Sequence, residues 1–134
     1  MRQINVVGAV IVKDGRVLCA QRGPNGTLAG LWEFPGGKIE AGETSQAALA
    51  REIAEELDCQ VEVRDVITTT THEYDFGVVT LTTFYCDLAS GEPVASEHAN
   101  LAWLEPSNLS MLDWAPADVP AVELVVQELT SNVG

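Results

Sequence analysis

The sequence predicts an α+β (or α/β) domain with one sheet and helices on both of its faces. Three observations lead there: a nearly continuous apolar run from Met1 to Ile11, one strongly amphipathic segment after Thr44, and two long β-rich runs beyond it. The Met1–Ile11 run is too short to span a bilayer and lacks a small-residue cleavage signal, so it reads as a strand. Lys13-Asp14-Gly15 is a turn signal, and Arg16 to Gln21 returns as the second arm of a hairpin. Gly23-Pro24-Asn25-Gly26 opens a loop. Leu31-Trp32-Glu33-Phe34 is a short extended piece that Pro35-Gly36-Gly37 ends.

Thr44 is a good N-cap for the helix that follows, and Ala47, Ala48, Leu49, Ile53, Ala54 and Leu57 form its apolar stripe. Asp58 stops it where glycine is the commoner residue. Strands are predicted over Val61–Thr71 and Val78–Leu88, joined through Asp75-Phe76-Gly77, and again over Leu101–Leu104 after the turn Ser90-Gly91-Glu92-Pro93. A short helix from Pro106 to about Leu112 and a longer one from near Pro116 to Leu129 complete the chain. With 134 residues and no linker, repeat or low-complexity stretch, residues 1–134 are expected to form one domain.

Seven basic against twenty acidic side chains leave a formal charge of −13, which repels nucleic-acid backbones and argues against a duplex partner. It does not exclude a small phosphorylated ligand that arrives with divalent cations. Cys19, Cys59 and Cys86 contain no CxxC pair and sit in apolar stretches, which predicts reduced, buried thiols in a cytoplasmic protein. No secretion, anchor or membrane-spanning signal is visible in the sequence.

The chemistry concentrates between Gly36 and Leu57. Glu52, Glu55 and Glu56 stand at i, i+3 and i+4, which places them on one helix face. Like charges at that spacing repel, with Arg51 the only local compensation; hard divalent cations remove the cost and take such oxygen ligands. A solvated helix face is the plain alternative. The loop before the helix favours the metal reading. Pro35-Gly36-Gly37 allows close backbone approach to a ligand, the Gly36 carbonyl is a further candidate oxygen donor, and Lys38 is placed to meet phosphate.

Gly37, five residues, Glu43, seven residues, then Arg51-Glu52-Ile53-Ala54-Glu55-Glu56 resembles the Nudix box, G-x5-E-x7-R-E-U-x-E-E-x-G-U with U aliphatic, over about residues 37–59. Every charged position and the spacing match; Asp58 departs, where the family has glycine, and this bears on the loop geometry after the helix. The resemblance extends over most of the chain and implies the Nudix fold, an α/β/α sandwich around a mixed sheet. It implies that Glu52 and Glu56 are the principal metal-binding carboxylates, that Glu55 is a nearby ligand or water-activating group, and that the Gly36 carbonyl joins the metal shell. Glu43 and Arg51 then hold the loop and helix together. Ser96-Glu97-His98 resembles the region of the MutT-like branch that supplies a further carboxylate, making Glu97 the candidate for another ligand or the general base.

The reaction so implied is hydrolysis of a nucleoside triphosphate to nucleoside monophosphate and pyrophosphate, with Mg²⁺ (Mn²⁺ as the substitute) and with Arg22 and Lys38 neutralising the phosphates. The chain resembles the 8-oxo-dGTP and the CTP/dCTP pyrophosphohydrolases about equally, so nucleotide-pool sanitation and cytidine-nucleotide hydrolysis both remain open. Shared features are Ala20-Gln21-Arg22, Leu31 to Pro35, and Trp114 to Pro120. Asp118 stands where the first group has a base-reading Asn and the second has Asp. An ionised Asp only accepts, which suits the N4 amino group of cytosine and the N–H edge of 8-oxoguanine and disfavours O4 of uracil or thymine. A helix N-terminal acid is its plainer role. Phe34 or Trp32 is a candidate to stack on the base, or else belongs to the core. Hydrolysis of ADP-ribose or a dinucleoside polyphosphate is the enzymic alternative. A non-catalytic nucleotide-binding domain is the other, against which the intact acid set argues. A monomer or weak dimer is expected.

Overall fold

The computed structural model describes residues 1–130, so the last four positions of the expected domain lie outside the described residues. Seven strands form one mixed sheet: β1 (Gln3–Lys13), β2 (Arg16–Gln21), β3 (Trp32–Glu33), β4 (Gly36–Lys38), β5 (Gln60–Tyr74), β6 (Gly77–Ser90) and β7 (Asn100–Leu104). The order along its main path is β3-β2-β1-β6-β5; β4 pairs with β1 and β7 with β2. β1 and β6 run parallel from Gln3↔Val78 to Val12↔Asp87, while the β1–β2 and β5–β6 pairs are antiparallel.

β1 is apolar from Val6 to Val12 because both of its faces are covered there. Val7, Ala9 and Ile11 meet α1 (Ser45–Leu57) through Leu49, Ile53 and Leu57. Val10, on the other face, packs with Phe34, Leu109 and Trp114 and with Ala121, Val122 and Val125 of α2 (Val119–Thr130). The result is the α+β arrangement expected, with α1 and α2 on opposite sides of the sheet. Cys19, Cys59 and Cys86 are free thiols in these cores, and burial pushes Cys19 and Cys86 up to about 12.

Several expectations change in detail. Pro35-Gly36-Gly37 does not only end an extended piece; Gly36–Lys38 is itself a strand, paired Val6↔Lys38 to Gly8↔Gly36. β5 begins at Gln60 and continues to Tyr74, past the predicted end at Thr71, because β6 partners it to the turn at Gly77. The segments at Pro106–Met111 and Pro116–Asp118 are 3₁₀ turns, and α2 proper starts at Val119. Ala47, counted in the apolar stripe of the first helix, is exposed, and so is Val119 at the start of α2.

α1 has the predicted cap, with the Ala47 N–H donating to Thr44 Oγ1 at 3.1 Å. At its other end Asp58 takes the left-handed conformation (φ 53°, ψ 42°) that glycine enters more easily. Asp is among the residues that tolerate this region, so the helix closes in the same way.

Candidate active site

A cavity of about 570 Å³ opens where β4, the C-terminal end of α1, the β2–β3 loop, the β6–β7 segment and the 3₁₀ turn before α2 meet. Its walls include Arg22, Phe34, Gly36, Lys38, Glu56, Glu97 and Asp118, all singled out from the sequence.

The two glycines of β4 are explained by contacts within the protein. A Cβ on Gly36 would fall 1.9 Å from the Val7 carbonyl oxygen, and one on Gly37 2.2 Å from Glu52 Oε2. Their missing side chains let β4 lie flat on β1 and let the Glu52 carboxylate sit directly behind the strand.

Arg51 organises the acids of α1. It donates to Glu43 at 2.7 and 2.9 Å, to Glu52 at 2.9 Å, to Glu55 at 3.2 Å and to the Lys38 carbonyl at 3.2 Å. These bonds fasten the helix to the loop before it and hold the Glu43 carboxyl down at about 2. Glu55 departs from the expected ligand position: it is 60% exposed, sits in an i, i+4 pair with Arg51, and does not line the cavity. Glu52 also lies behind the wall rather than in it, but reaches the site through its contact with Glu56.

Glu56 carries the electrostatic signature of the site. Burial, then the charges of Glu52, Glu97 and Glu33, push its carboxyl up to about 8, and its Oε2 is buried with no hydrogen-bond partner. An orphaned carboxylate oxygen among other acids fits a hard divalent cation, which would supply the missing positive charge. Among the described residues no three His, Cys, Asp or Glu side chains form a ready-made cage. A cation there would complete its shell with backbone, water and substrate oxygens, as Mg²⁺ commonly does.

On the opposite wall Glu33 joins two segments. Its Oε1 accepts from Arg22 at 2.9 Å, and its Oε2 meets His98 Nε2 at 2.9 Å. Arg22 also donates to the carbonyl and hydroxyl of Thr27, which folds the β2–β3 loop back on itself. Lys38 stands exposed at the cavity edge.

The base-reading candidates are more deeply set than their sequence context suggests. Phe34 is 3% exposed and packs against Trp114 with ring centroids 4.8 Å apart, so its ring belongs to the core and only closes the cavity floor. Trp32 is packed against the same core cluster. Asp118 is 6% exposed; its Oδ2 accepts from the Phe34 N–H at 3.0 Å, and burial pushes its carboxyl up to about 8. Near neutral pH it therefore has a protonated form that donates, so the acceptor-only behaviour expected of an ionised Asp applies above about pH 8.

Sequence reasoning missed Glu33, Tyr74 and Phe76, and gave His98 no role of its own. Tyr74 and Phe76 stack with centroids 5.0 Å apart at the cavity wall, and the Tyr74 hydroxyl accepts from the Ala117 N–H. The alternation His72, Tyr74, Phe76 was the available signal, since it puts three rings on one face near a strand end.

A NUDIX domain model matches residues 6–124. A CTP pyrophosphohydrolase of Escherichia coli strain K12 is 37% identical over 123 residues, covering 92% of this chain and 91% of the relative. A putative 8-oxo-dGTP diphosphatase 2 of Mycobacterium tuberculosis strain H37Rv is 46% identical over 121 residues, covering 88% and 84%. The solution structure of a MutT Nudix hydrolase from methicillin-resistant Staphylococcus aureus 252 superposes with a TM-score of 0.79 at 50% identity, covering 95% of this chain and 98% of that one. The expected resemblance thus holds over nearly the whole molecule, and the chain belongs to the Nudix hydrolase family.

Proposed function

We propose that the protein hydrolyses a nucleoside or deoxynucleoside triphosphate to the monophosphate and pyrophosphate, using Mg²⁺ or, in its place, Mn²⁺. The observation that carries this reading is the buried, unpartnered Oε2 of Glu56 beside Glu52 and Glu97, in a cavity whose rim carries Arg22 and Lys38. Glu52, Glu56, Glu97 and the Gly36 carbonyl would hold the cation, which when bound neutralises phosphate charge and makes water a better nucleophile. Glu56 and Glu97 are the candidates to take the proton of the attacking water. Arg22 and Lys38 offset charge on the phosphates being parted, and Arg22 is held for this by Glu33 and Thr27. Glu55 contributes through Arg51 rather than from the cavity wall.

Asp118 reads the base edge from the inner end of the cavity, with Tyr74 and Phe76 as aromatic walls. The relatives carry the names CTP pyrophosphohydrolase and putative 8-oxo-dGTP diphosphatase 2, and both bases present N–H donors that Asp118 accepts most strongly once it ionises, above about pH 8. The physiological reading is clearance of damaged or surplus nucleotides by a cytoplasmic monomer or weak dimer. Among the described residues no helix is long and apolar enough to cross a membrane.

The test is kcat/KM in Mg²⁺ for CTP, dCTP, 5-methyl-dCTP, dGTP and 8-oxo-dGTP. A preference of about tenfold, 1.4 kcal/mol in the transition state, for the cytosine set would assign cytidine-nucleotide hydrolysis. The same preference for 8-oxo-dGTP over dGTP would assign sanitation. Turnover of none would contradict the proposal.

A further inference from the structure

Of the three carboxylates proposed to hold the cation, Glu52 and Glu56 come from α1 and Glu97 does not come from a helix or strand. It lies on the irregular segment between β6 and β7, yet it lines the same cavity as Glu56. An irregular segment fixes a side chain less firmly than a helix or strand does. Something must hold it in place.

The hydrogen bonds of the segment supply the answer, because they bracket Glu97 on both sides. The Val94 N–H donates to the Leu57 carbonyl at 2.9 Å, and Ser96 Oγ donates to the Glu56 carbonyl at 2.6 Å. Beyond Glu97, His98 Nε2 meets Glu33 Oε2 at 2.9 Å, and the Ala99 N–H donates to the Gln21 carbonyl at 2.9 Å. A carboxylate oxygen accepts, so Nε2 carries the hydrogen. The His98 side chain is only 7% exposed and its Nδ1 has no protein partner, so the bond to Glu33 is its tie to the site.

We propose that Ser96 and His98 are positioning residues: one fastened to the Glu56 carbonyl and the other to Glu33, they hold Glu97 over the cavity. His98 then acts through geometry and not by proton transfer. This rests on the proposed role of Glu97 in hydrolysis, and the test separates the two.

The test combines S96A, H98A and H98Q with E97Q, read by steady-state kinetics and by hydrogen exchange of peptides covering residues 94–100. Glutamine places a nitrogen near the position of Nε2 and restores the tie without an imidazole. The expected result for S96A and H98A is a kcat about tenfold lower with KM nearly unchanged, since small misplacements of a reacting group are costly. Exchange should rise in 94–100 and not in α1, H98Q should recover most of the activity, and H98A should add nothing on an E97Q background. Unchanged exchange in S96A and H98A would overturn the proposal while leaving hydrolysis standing. So would an H98A loss that multiplies with E97Q, or H98Q as impaired as H98A. An E97Q variant as active as the wild type would overturn the role of Glu97 and the proposal with it. A wild type without turnover would contradict the hydrolase reading alone, and exchange would still decide whether the segment is fastened.

Discussion

Gly37 leaves room for Glu52: a Cβ at Gly37 would stand 2.2 Å from Glu52 Oε2, so the carboxylate occupies the space that any other residue would fill. The contact converts a backbone requirement of β4 into the placement of an acid on α1. It also ties together two positions of the Nudix box that stand well apart in sequence.

A G37A substitution is therefore expected to displace Glu52 and lower kcat/KM by about 100-fold or more, with the fold retained, because a carboxylate end can move where a backbone cannot. G36A meets the Val7 carbonyl instead, and is expected to lose stability and soluble yield. Circular dichroism melts beside activity assays distinguish the two outcomes.

Glu56 is held protonated to about pH 8, against an ordinary value of 4.5, so its burial costs stability as pH rises between those values in the absence of metal. E56Q removes that cost. It is expected to raise the stability of the metal-free protein by about 1–3 kcal/mol at pH 8, while lowering turnover by at least about 100-fold. Mg²⁺ should raise the melting temperature of the wild type and have little effect on E56Q. Thermal melts with EDTA or Mg²⁺ check both halves.

Asp118 has the same sign. Its folded value of about 8 lies above the ordinary 3.8, so the stability it contributes is full below about pH 4 and is lost as pH rises through 8. D118N, which keeps an acceptor for the Phe34 N–H, should flatten that decline in urea titrations. Base preference should shift in the same window. As Asp118 ionises it stops donating to O4 of uracil and accepts more strongly from N4 of cytosine, so the CTP to UTP ratio of kcat/KM should rise from pH 7 to 9 in the wild type and stay level in D118N.

Glu43 works in the opposite direction. Arg51 holds its carboxyl near 2, so the stability from this pair is present above about pH 4.5 and lost as pH falls toward 2. Acid unfolding of E43Q should consequently be less steep than that of the wild type over that range, as read by tryptophan fluorescence.

What the sequence made legible was local. The Lys13–Gly15 hairpin, the Thr44 cap, the α1 stripe and the box acids depend on neighbours within a few residues, so spacing alone locates them. β4 was hidden because Gly36-Gly37-Lys38 has no β-propensity; it is a strand because β1 has an unpaired stretch that only residues without side chains can approach so closely. Phe34 was readable either as a stacking platform or as core, and Trp114, distant in sequence, decides for the core. Glu55 shares a helix face with Glu52 and Glu56, yet Arg51 one turn earlier draws it to the exposed side. Glu33 was passed over as one charge in an apolar stretch, since its meaning lies in Arg22 and His98, which only the folded chain brings to it.

The central claim is metal-assisted cleavage that releases pyrophosphate, with Glu56 at its centre. The most direct measurement is ³¹P NMR of products from CTP and 8-oxo-dGTP in Mg²⁺, wild type beside E56Q. Equal amounts of nucleoside monophosphate and pyrophosphate from the wild type, with almost none from E56Q, is the expected result. Orthophosphate with a nucleoside diphosphate, or equal turnover by the two proteins, would contradict it.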